Sequence, residues 1–383
     1  METRKLYYED SHMRSFAAEV LSCVQTDKGW EIILSATAFY PEGGGQACDL
    51  GTLGEAKVLD VRERGEAIVH LCDSPVEAGA EVEGRIDWER RFDLMQQHSG
   101  EHMVSGVIHK RFGWHNVGFH MGSDVITIDF DGVVPPEALS AIEAEVNAGI
   151  WADLPLRCWY PEPEALPHVG YRTKKQLPWP VRIVEVPGYD KCACCGTHVK
   201  NTGEIGLVKL FTSIPCRGGS RMEMACGRRA VALLTHAYDQ NRQVSQAFSA
   251  QITETGAAAR RMNETLEQEK LRYAALQKKL FGFVAESYVN RGDVLHFEEN
   301  LDSVQIRILA DAIAETCGGR AAVFSGTEES GYAFAIVTRE GDLRPFGKAM
   351  TTALNGRGGG KPIFQQGRVS APRAAIEAFF VEN

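Results

Sequence analysis

Long apolar runs are missing from this sequence. No stretch approaches the length of about 20 apolar residues that a membrane-spanning helix requires. The opening segment, METRKLYYEDSHMRSFAAEV, contains no apolar core of the signal-peptide type. We therefore expect a cytoplasmic protein that does not contact a membrane.

An excess of positive charge is also missing. The chain has 41 Lys and Arg against 51 Asp and Glu, which gives a formal net charge of −10. This balance argues against a protein that binds nucleic acid through its overall charge, although a local basic patch is compatible with it. Two short basic clusters exist, and a solvated surface is the simpler interpretation of each. They consist of Arg172, Lys174 and Lys175, and of Arg217, Arg221, Arg228 and Arg229.

Cysteine is present, but not in a pattern typical of disulfides. In the cytoplasm the ten cysteines are expected to be reduced thiols or metal ligands. Cys192, Cys194 and Cys195 crowd one short segment, where neighbouring cysteines are poor disulfide partners.

The pattern along the chain predicts an α+β protein of several parts. Residues 1–90 contain short strands separated by turn signals, which indicates a small barrel or sandwich; we take the barrel as the expectation. Residues 91–228 alternate helix and strand patterns and form an α+β domain. Residues 229–290 contain no proline and are rich in Ala, Glu, Gln, Lys and Arg, which predicts a helical connector and a candidate coiled coil with a break near Gly256. Residues 291–383 predict an α/β domain.

Two distant segments look like two halves of one metal site. His98 and His102 are four residues apart on a predicted helix over 92–112 and so lie on one face. Cys194 and His198 supply a thiolate and a third imidazole, and this set of four suits zinc. Either spacing alone arises by chance roughly 0.3 times per chain, so each is weak by itself. The alternatives are partly buried helix histidines and a small buried thiol.

Glu101 does not fit the usual metalloprotease pattern. The general base of His-Glu-x-x-His directly follows the first histidine, whereas Ser99 follows His98 here. Glu101 points about 100° away from His102 on a helix. We expect it on the surface or behind the metal ligands.

Two glycine-rich segments could approach a ligand closely. Gly43, Gly44 and Gly45 precede Gln46, and the alternative interpretation is a flexible hairpin turn. The run Gly356–Lys361 could cradle phosphate through backbone N–H groups. It lacks the spacing of a P-loop, which argues against nucleotide hydrolysis.

These motifs occur in an order that resembles a known family. The segments are Phe39–Gln46 with Asp49-Leu50-Gly51, His98-x3-His102, Val117–Gly122, Cys194-x3-His198-Val199 with Thr202–Gly206, and Gly356–Lys361. Together they resemble the AlaX family in its long form. Members are free-standing proteins similar to the editing domain of alanyl-tRNA synthetase and carry a DHH-associated C-terminal domain.

The resemblance implies a function and a set of site residues. It implies zinc-dependent hydrolysis of the ester of alanine tRNA mischarged with serine or glycine, with one zinc per chain. The implied zinc ligands, which also form the catalytic centre, are His98, His102, Cys194 and His198, with His120 as a candidate proton shuttle. The candidate substrate contacts are Gly43, Gly44, Gly45, Gln46, Gly118, Phe119 and Arg221. The candidate tRNA contacts are Arg357, Gly358, Gly359 and Lys361, and the C-terminal region is a candidate homodimer interface.

A non-catalytic function remains as the alternative. Four protein ligands close a zinc shell as in structural sites, so the chain could instead be a tRNA- or protein-binding module with a structural zinc. A zinc peptidase is disfavoured by the position of Glu101. A phosphoesterase function has even less support, because the sequence contains no Asp-His-His run.

Overall fold

A computed structural model of the chain describes residues 2–173 and 179–383. Lys174 and Lys175 of the first basic cluster lie outside the described residues. The chain divides into two compact units, residues 1–243 and 244–383. Both combine helices with sheets, so the predicted α+β class is confirmed. None of the helices in the described part of the chain has both the length and the apolar character needed to cross a membrane.

The secondary-structure elements follow each other in mixed order along the chain. The helices are α1 Leu6–Glu9, α2 Trp88–Phe112, α3 Leu139–Trp151, α4 Gly227–Ala247, α5 Thr255–Glu286, α6 Ser303–Thr316, α7 Arg344–Ala353 and α8 Arg373–Glu382. The strands of the first unit are β1 Arg4–Lys5, β2 Ser15–Thr26, β3 Gly29–Leu34, β4 Ala36–Thr37, β5 Gly51–Leu53, β6 Ala56–Arg64, β7 Ala67–Cys72, β8 Glu81–Ile86, β9 Asn116–Met121, β10 Ile126–Phe130, β11 Arg157–Trp159, β12 Ile183–Val186, β13 Asp190–Ala193, β14 Val208–Cys216 and β15 Gly219–Cys226. The strands of the second unit are β16 Gly292–Phe297, β17 Gly318–Thr327, β18 Gly331–Val337, β19 Gly356–Lys361 and β20 Phe364–Val369.

Six strands at the start of the first unit close on themselves in the order β2-β3-β7-β6-β5-β8. Side chains alternate between the inside and the outside, as strand geometry requires. Phe16, Ala18 and Val20 of β2 are buried, as are Val82 and Ile86 of β8, and they contribute to one apolar core.

Helix α2 is the central element of the first unit. Asp87 caps its N-terminus by accepting a hydrogen bond from the Arg90 N–H, and Gly113 ends it in a left-handed conformation with φ 77°. Every residue from 94 to 108 is buried. The helix packs against the sheet β14-β15-β10-β9 and against β13. It thereby carries buried polar side chains into the middle of the unit.

One buried ion pair connects α2 to the six-stranded ring. The Arg91 Nε atom donates to Asp49 Oδ1 at 2.8 Å, and both side chains are fully buried. Arg91 also donates to the carbonyl oxygens of Ser11 and Ala38. Asp49 in turn accepts a hydrogen bond from the Tyr40 N–H. Because the charges are paired and hydrogen-bonded, the pair can lie out of water and fix the start of the helix.

The second unit contains the mixed five-stranded sheet β16-β17-β18-β20-β19. The segment Gly356–Lys361, which could form a phosphate-binding glycine loop, is instead the edge strand β19. It pairs antiparallel with β20, from Gly356 opposite Val369 to Lys361 opposite Phe364. Part of its backbone N–H groups therefore bind β20 rather than a ligand.

We predict that Asp49→Ala lowers the free energy of unfolding of the first unit by about 3–5 kcal/mol, because Arg91 is left as an unpaired buried charge. All six tryptophans lie at or before position 179, so tryptophan fluorescence during urea unfolding reports this unit selectively. The control is Glu83→Ala, which removes the exposed pair with Arg85 and costs below about 1 kcal/mol. Equal effects of the two variants would contradict this role of the buried pair.

Candidate functional site

Three histidines and one cysteine from distant parts of the chain converge in the first unit. His98 and His102 lie on α2, while Cys194 and His198 follow β13. One potential ligand atom of each residue lies within 4.8 Å of those of the others. The Cys194 Sγ atom is 3.3 Å from His98 Nε2 and 3.4 Å from His198 Nε2. The structure therefore brings together the four residues that the sequence predicts as metal ligands.

Each histidine is held from behind by a hydrogen bond at Nδ1. His98 Nδ1 lies 2.9 Å from Gln46 Oε1, and His102 Nδ1 lies 2.9 Å from Asp190 Oδ2. His198 Nδ1 lies 3.1 Å from the Ser99 hydroxyl. The oxygens of Gln46 and ionised Asp190 can only accept, so Nδ1 of His98 and His102 carries the proton. Their Nε2 lone pairs are left free for a metal, an arrangement typical of metal sites.

Asp190 is itself fixed by a second partner. Arg172 donates from Nε to Oδ1 at 2.7 Å and from Nη2 to Oδ2 at 2.9 Å. Burial alone raises the pKa of the Asp190 carboxyl, but hydrogen bonds from His102 and Arg172 outweigh it and lower the pKa below its usual value. Asp190 is thus an ionised acceptor that orients His102.

The loop that carries Cys194 is shaped around the His98 ring. A Cβ atom added to Gly196 would lie 2.1 Å from His98 Cε1, so only glycine fits this close approach. The Gln46 side chain donates to the Thr197 hydroxyl at 2.8 Å and accepts from the Thr197 N–H at 3.1 Å. Gln46 therefore joins the glycine-rich segment to both halves of the cluster.

The electrostatics of the cluster favour a thiolate at Cys194 and a neutral imidazole at His198. Burial lowers the pKa of His102, but the Cys194 charge and the hydrogen bond to Asp190 outweigh burial and raise this pKa well above its usual range, so a metal ion would displace a proton from His102. Burial raises the pKa of the Cys194 thiol, but the positive charge of surrounding histidines, His98 and His102 foremost, outweighs it and lowers the pKa well below its usual range. Burial also lowers the pKa of His198 to about 3. A thiolate and neutral imidazoles are the forms in which these side chains bind a metal ion. The donor set of three nitrogens and one sulfur fits zinc.

A cavity of about 280 Å³ opens beside the cluster. Its polar and apolar walls come from α2, β9, β13 and the segments next to them. They comprise Gly44, His98, Glu101, His102, Asn116, Phe119, Arg172, Thr173, Cys192, Ala193, Cys194 and Cys195. A small molecule in this cavity would contact the cluster directly.

The glycine-rich segment of residues 43–46 lies against the cavity. Gly44 lines it, and Gly43 pairs with Gln46 in a tight turn. Gly45 has φ 87°, and a Cβ atom there would lie 2.7 Å from the Phe119 ring. Phe119 stacks on the His98 ring with centroids 5.5 Å apart. These predicted residues therefore surround the cluster.

Three further predicted residues lie elsewhere. Gly118 and His120 alternate with Phe119 along β9 and so point to the opposite face of the sheet. Arg221 lies on that face too, where it pairs with Asp129 at 2.7 Å. In the described part of the chain, none of these three lines the cavity. His120 and Arg221 therefore do not reach the site as expected. The reason is the alternation of side chains along the strand, which cannot be read from an isolated motif.

The predicted tRNA contacts belong to the second unit. Arg357, Gly358, Gly359 and Lys361 are all exposed on the edge strand β19. Alternation places Arg357 and Lys361 on one face of the strand.

Two residues of the site were missed by sequence reasoning. Glu101 is 5% exposed and lines the cavity, so of its two expected positions, on the surface or behind the metal ligands, the surface is wrong. The signal was available: Glu101 is three residues after His98, so both belong to one helix face. No sequence motif predicts the role of Asp190, because that role depends on a tertiary contact with His102.

Three family models match the chain. The model of the threonyl and alanyl tRNA synthetase second additional domain matches residues 181–225, which include Cys194 and His198. The model of class II (A) tRNA synthetases matches residues 2–90, and the DHHA1 domain model matches residues 283–380.

Similar curated proteins cover nearly the whole chain. The alanyl-tRNA editing protein Aarsd1 of Danio rerio is 28% identical over 98% of this chain and 96% of its own length. The protein of the same name from Mus musculus is 28% identical over 97% of this chain and 96% of its own length. The alanine–tRNA ligase of Pyrococcus abyssi is 30% identical over 98% of this chain, which spans 43% of the ligase.

We predict that Gly196→Ala weakens zinc binding at least about tenfold, because the new methyl group displaces the His98 ring, and disturbed ligand orientation typically costs that much affinity. Competition with a colorimetric chelator measures the affinity. Gly170→Ala is the matched control, since a Cβ atom at Gly170 meets nothing within 4 Å. Unchanged zinc affinity in Gly196→Ala would contradict the conclusion that the loop at Gly196 must pack closely against the His98 ring.

A second prediction concerns the residue behind His102. Asp190→Asn removes the charge that orients His102, and we expect zinc affinity to fall about 10–100-fold. The same chelator competition applies, with the exposed Asp124→Asn as the control. If both variants bind zinc equally, Asp190 does not tune the site.

Proposed function

Because the chain belongs to the family of alanyl-tRNA editing proteins, free-standing relatives of the editing region of alanyl-tRNA synthetase, we propose that it is an aminoacyl-tRNA deacylase that edits mischarged tRNA(Ala) in trans. The observation that carries the proposal is the convergence of His98, His102, Cys194 and His198 beside a cavity of about 280 Å³. The cavity is near the lower end of the size of small-molecule sites, about 300 Å³, and suits a small aminoacyl group.

Zinc is the proposed cofactor, one per chain, held by His98, His102, Cys194 and His198. When bound, it supplies Lewis-acid charge beside the ester carbonyl. The chain's own residues orient the site: Gln46 and Asp190 fix two imidazoles through Nδ1. The Phe119 ring and the glycine-rich segment form a wall that limits the entry of water. The wall also favours a small aminoacyl group over a large one.

Seryl-tRNA(Ala) and glycyl-tRNA(Ala) are the proposed substrates. Both aminoacyl groups are small enough for the cavity. Selection of the seryl ester over the alanyl ester requires a polar group that bonds the serine hydroxyl and stays unpaired with alanine. Glu101 and Asn116 are polar residues of the cavity wall that could meet this requirement.

The second unit is the proposed site of tRNA contact and of self-association. Exposed Arg357 and Lys361 on β19 offer positive charge to a phosphate backbone. On α5, the exposed apolar residues Leu266, Tyr273 and Leu280 are seven residues apart, a spacing typical of coiled coils. This spacing supports a homodimer through α5. The proposed function places the protein in the cytoplasm with the translation machinery.

A non-catalytic tRNA- or protein-binding module is the second candidate. It is favoured by the four protein ligands, which fill a tetrahedral zinc shell as in structural sites. The two candidates differ in turnover, since a binding module would retain zinc and bind tRNA without releasing the amino acid.

We expect the purified chain to hydrolyse seryl- and glycyl-tRNA(Ala) and to leave alanyl-tRNA(Ala) largely intact. The assay follows release of labelled amino acid with and without a chelator. Cys194→Ala and His98→Ala should each lower kcat/KM at least about 100-fold, since ligand loss removes metal-supplied stabilisation of the transition state. Cys216→Ala, a cysteine outside the cluster, is the matched control.

This set of deacylation assays distinguishes the deacylase from the non-catalytic binding module. Zinc content and tRNA binding without turnover would favour the binding module. Normal deacylation by both ligand variants would rule out the metal-centred mechanism.

A further inference from the structure

The cavity contains a buried carboxylate that the metal cluster does not use. Glu101 is 5% exposed and lines the cavity together with His98 and His102. Its Oε1 atom accepts hydrogen bonds from the Ser105 hydroxyl at 2.5 Å and from the Asn116 side-chain amide. Both donors are neutral groups. The carboxylate is therefore held in place, but its charge is not neutralised by these contacts.

Cationic side chains do not pair with Glu101 in the part of the chain that the structure describes. Arg172 lines the same cavity, but its guanidinium is engaged by Asp190 through two hydrogen bonds. Glu101 interacts electrostatically with Arg172, but the two do not form a direct ion pair. A buried carboxylate without a direct ion-pair partner is costly, and a cation that arrives with the ligand lowers this cost.

A second polar group beside Glu101 also lacks a partner. Asn116 is 4% exposed and lines the cavity. Its Oδ1 atom is buried and has no hydrogen-bond partner among the described residues. Because the Asn116 amide nitrogen donates to Glu101, the unpaired oxygen is an acceptor held next to the carboxylate. Two neighbouring acceptors, one of them charged, match the donor geometry of an ammonium group.

From this arrangement we infer that Glu101 and Asn116 form the binding site for the protonated α-amino group of the aminoacyl ester. The inference rests on the proposed function and names the substrate feature that the cavity recognises. On the helix, Glu101 is three residues after His98 and one before His102, so an amino group bound to it places the neighbouring ester carbonyl towards the cluster. Glu101 is thus a substrate-binding residue that positions the ester, rather than a general base.

The experiment compares two non-hydrolysable ligands and two ester substrates. The ligands are 3′-deoxy-3′-serylamidoadenosine and its N-acetyl derivative, which lacks the positive charge. The substrates are seryl-tRNA(Ala) and N-acetyl-seryl-tRNA(Ala). Each is measured with the wild-type chain, with Glu101→Gln and with the control Glu55→Gln at an exposed position. Zinc content and thermal unfolding establish that the variants are folded.

We expect the wild-type chain and Glu55→Gln to bind the amine ligand roughly 10–100-fold more tightly than the acetylated one, as a charged hydrogen bond predicts. Glu101→Gln should lose most of this preference while retaining zinc. It should also lower kcat/KM for seryl-tRNA(Ala) at least about tenfold and leave hydrolysis of the acetylated substrate nearly unchanged. Asn116→Leu should reduce the preference in the same direction.

Two results would overturn the inference. An unchanged binding preference in Glu101→Gln would show that the amine binds elsewhere. An equal loss of hydrolysis for both ester substrates would indicate a general base instead. A wild-type chain that binds the amine ligand selectively but hydrolyses neither ester would contradict the proposed function while supporting the amine site.

Discussion

The burial of polar side chains along helix α2 is the constraint on which the first unit depends. Residues 94–108 are all buried, and this segment includes two glutamines, two histidines, two serines and a glutamate. Buried polar groups are costly unless hydrogen-bonded, so each must find a partner from another segment. Gln97 binds the backbone of Cys226, Gln96 binds the Glu204 carbonyl, and Ser99 binds the Val199 N–H. The hydrogen bonds that the buried polar side chains of α2 require therefore fix the positions of the loops around the helix.

The same requirement places the residues of the histidine and cysteine cluster and of the proposed amine site on one helix face. His98, Glu101, His102 and Ser105 follow the i, i+3, i+4, i+7 pattern of a single stripe. Gln46 and Asp190 satisfy the two histidines from behind, while Ser105 and Asn116 hold Glu101. In the proposed function, a zinc ion held by the cluster would supply Lewis-acid charge beside the ester carbonyl, and Glu101 would bind the amino group. Their spacing along the helix would then favour an ester of an α-amino acid.

Local patterns in the sequence predict much of this arrangement. The histidine and cysteine spacings indicate the two halves of the cluster, since each half is set by local geometry, and the order of the motifs along the chain joins them. Helix α2 begins at Trp88, whereas the sequence predicts a start at Phe92. The earlier start depends on the Asp87 cap and on burial of a polar face, and the periodicity of apolar residues reports neither. The outward orientation of His120 depends on strand alternation in β9, and the strand β19 forms from glycines because pairing with β20 outweighs their weak strand propensity. The burial of α2 and the pairing of β19 depend on contacts between distant segments, whereas the Asp87 cap and the alternation along β9 are local features that apolar periodicity and isolated motifs do not report.

The central claim is that His98, His102, Cys194 and His198 bind one zinc ion. X-ray absorption at the zinc edge, on the full chain reconstituted with one equivalent of zinc, tests it most directly because it reports the ligand atoms themselves. The account predicts a shell with nitrogen ligands at about 2.0–2.1 Å and one sulfur at about 2.3 Å. A shell with no sulfur, or with two or more sulfurs recruited from Cys192 or Cys195, would contradict it.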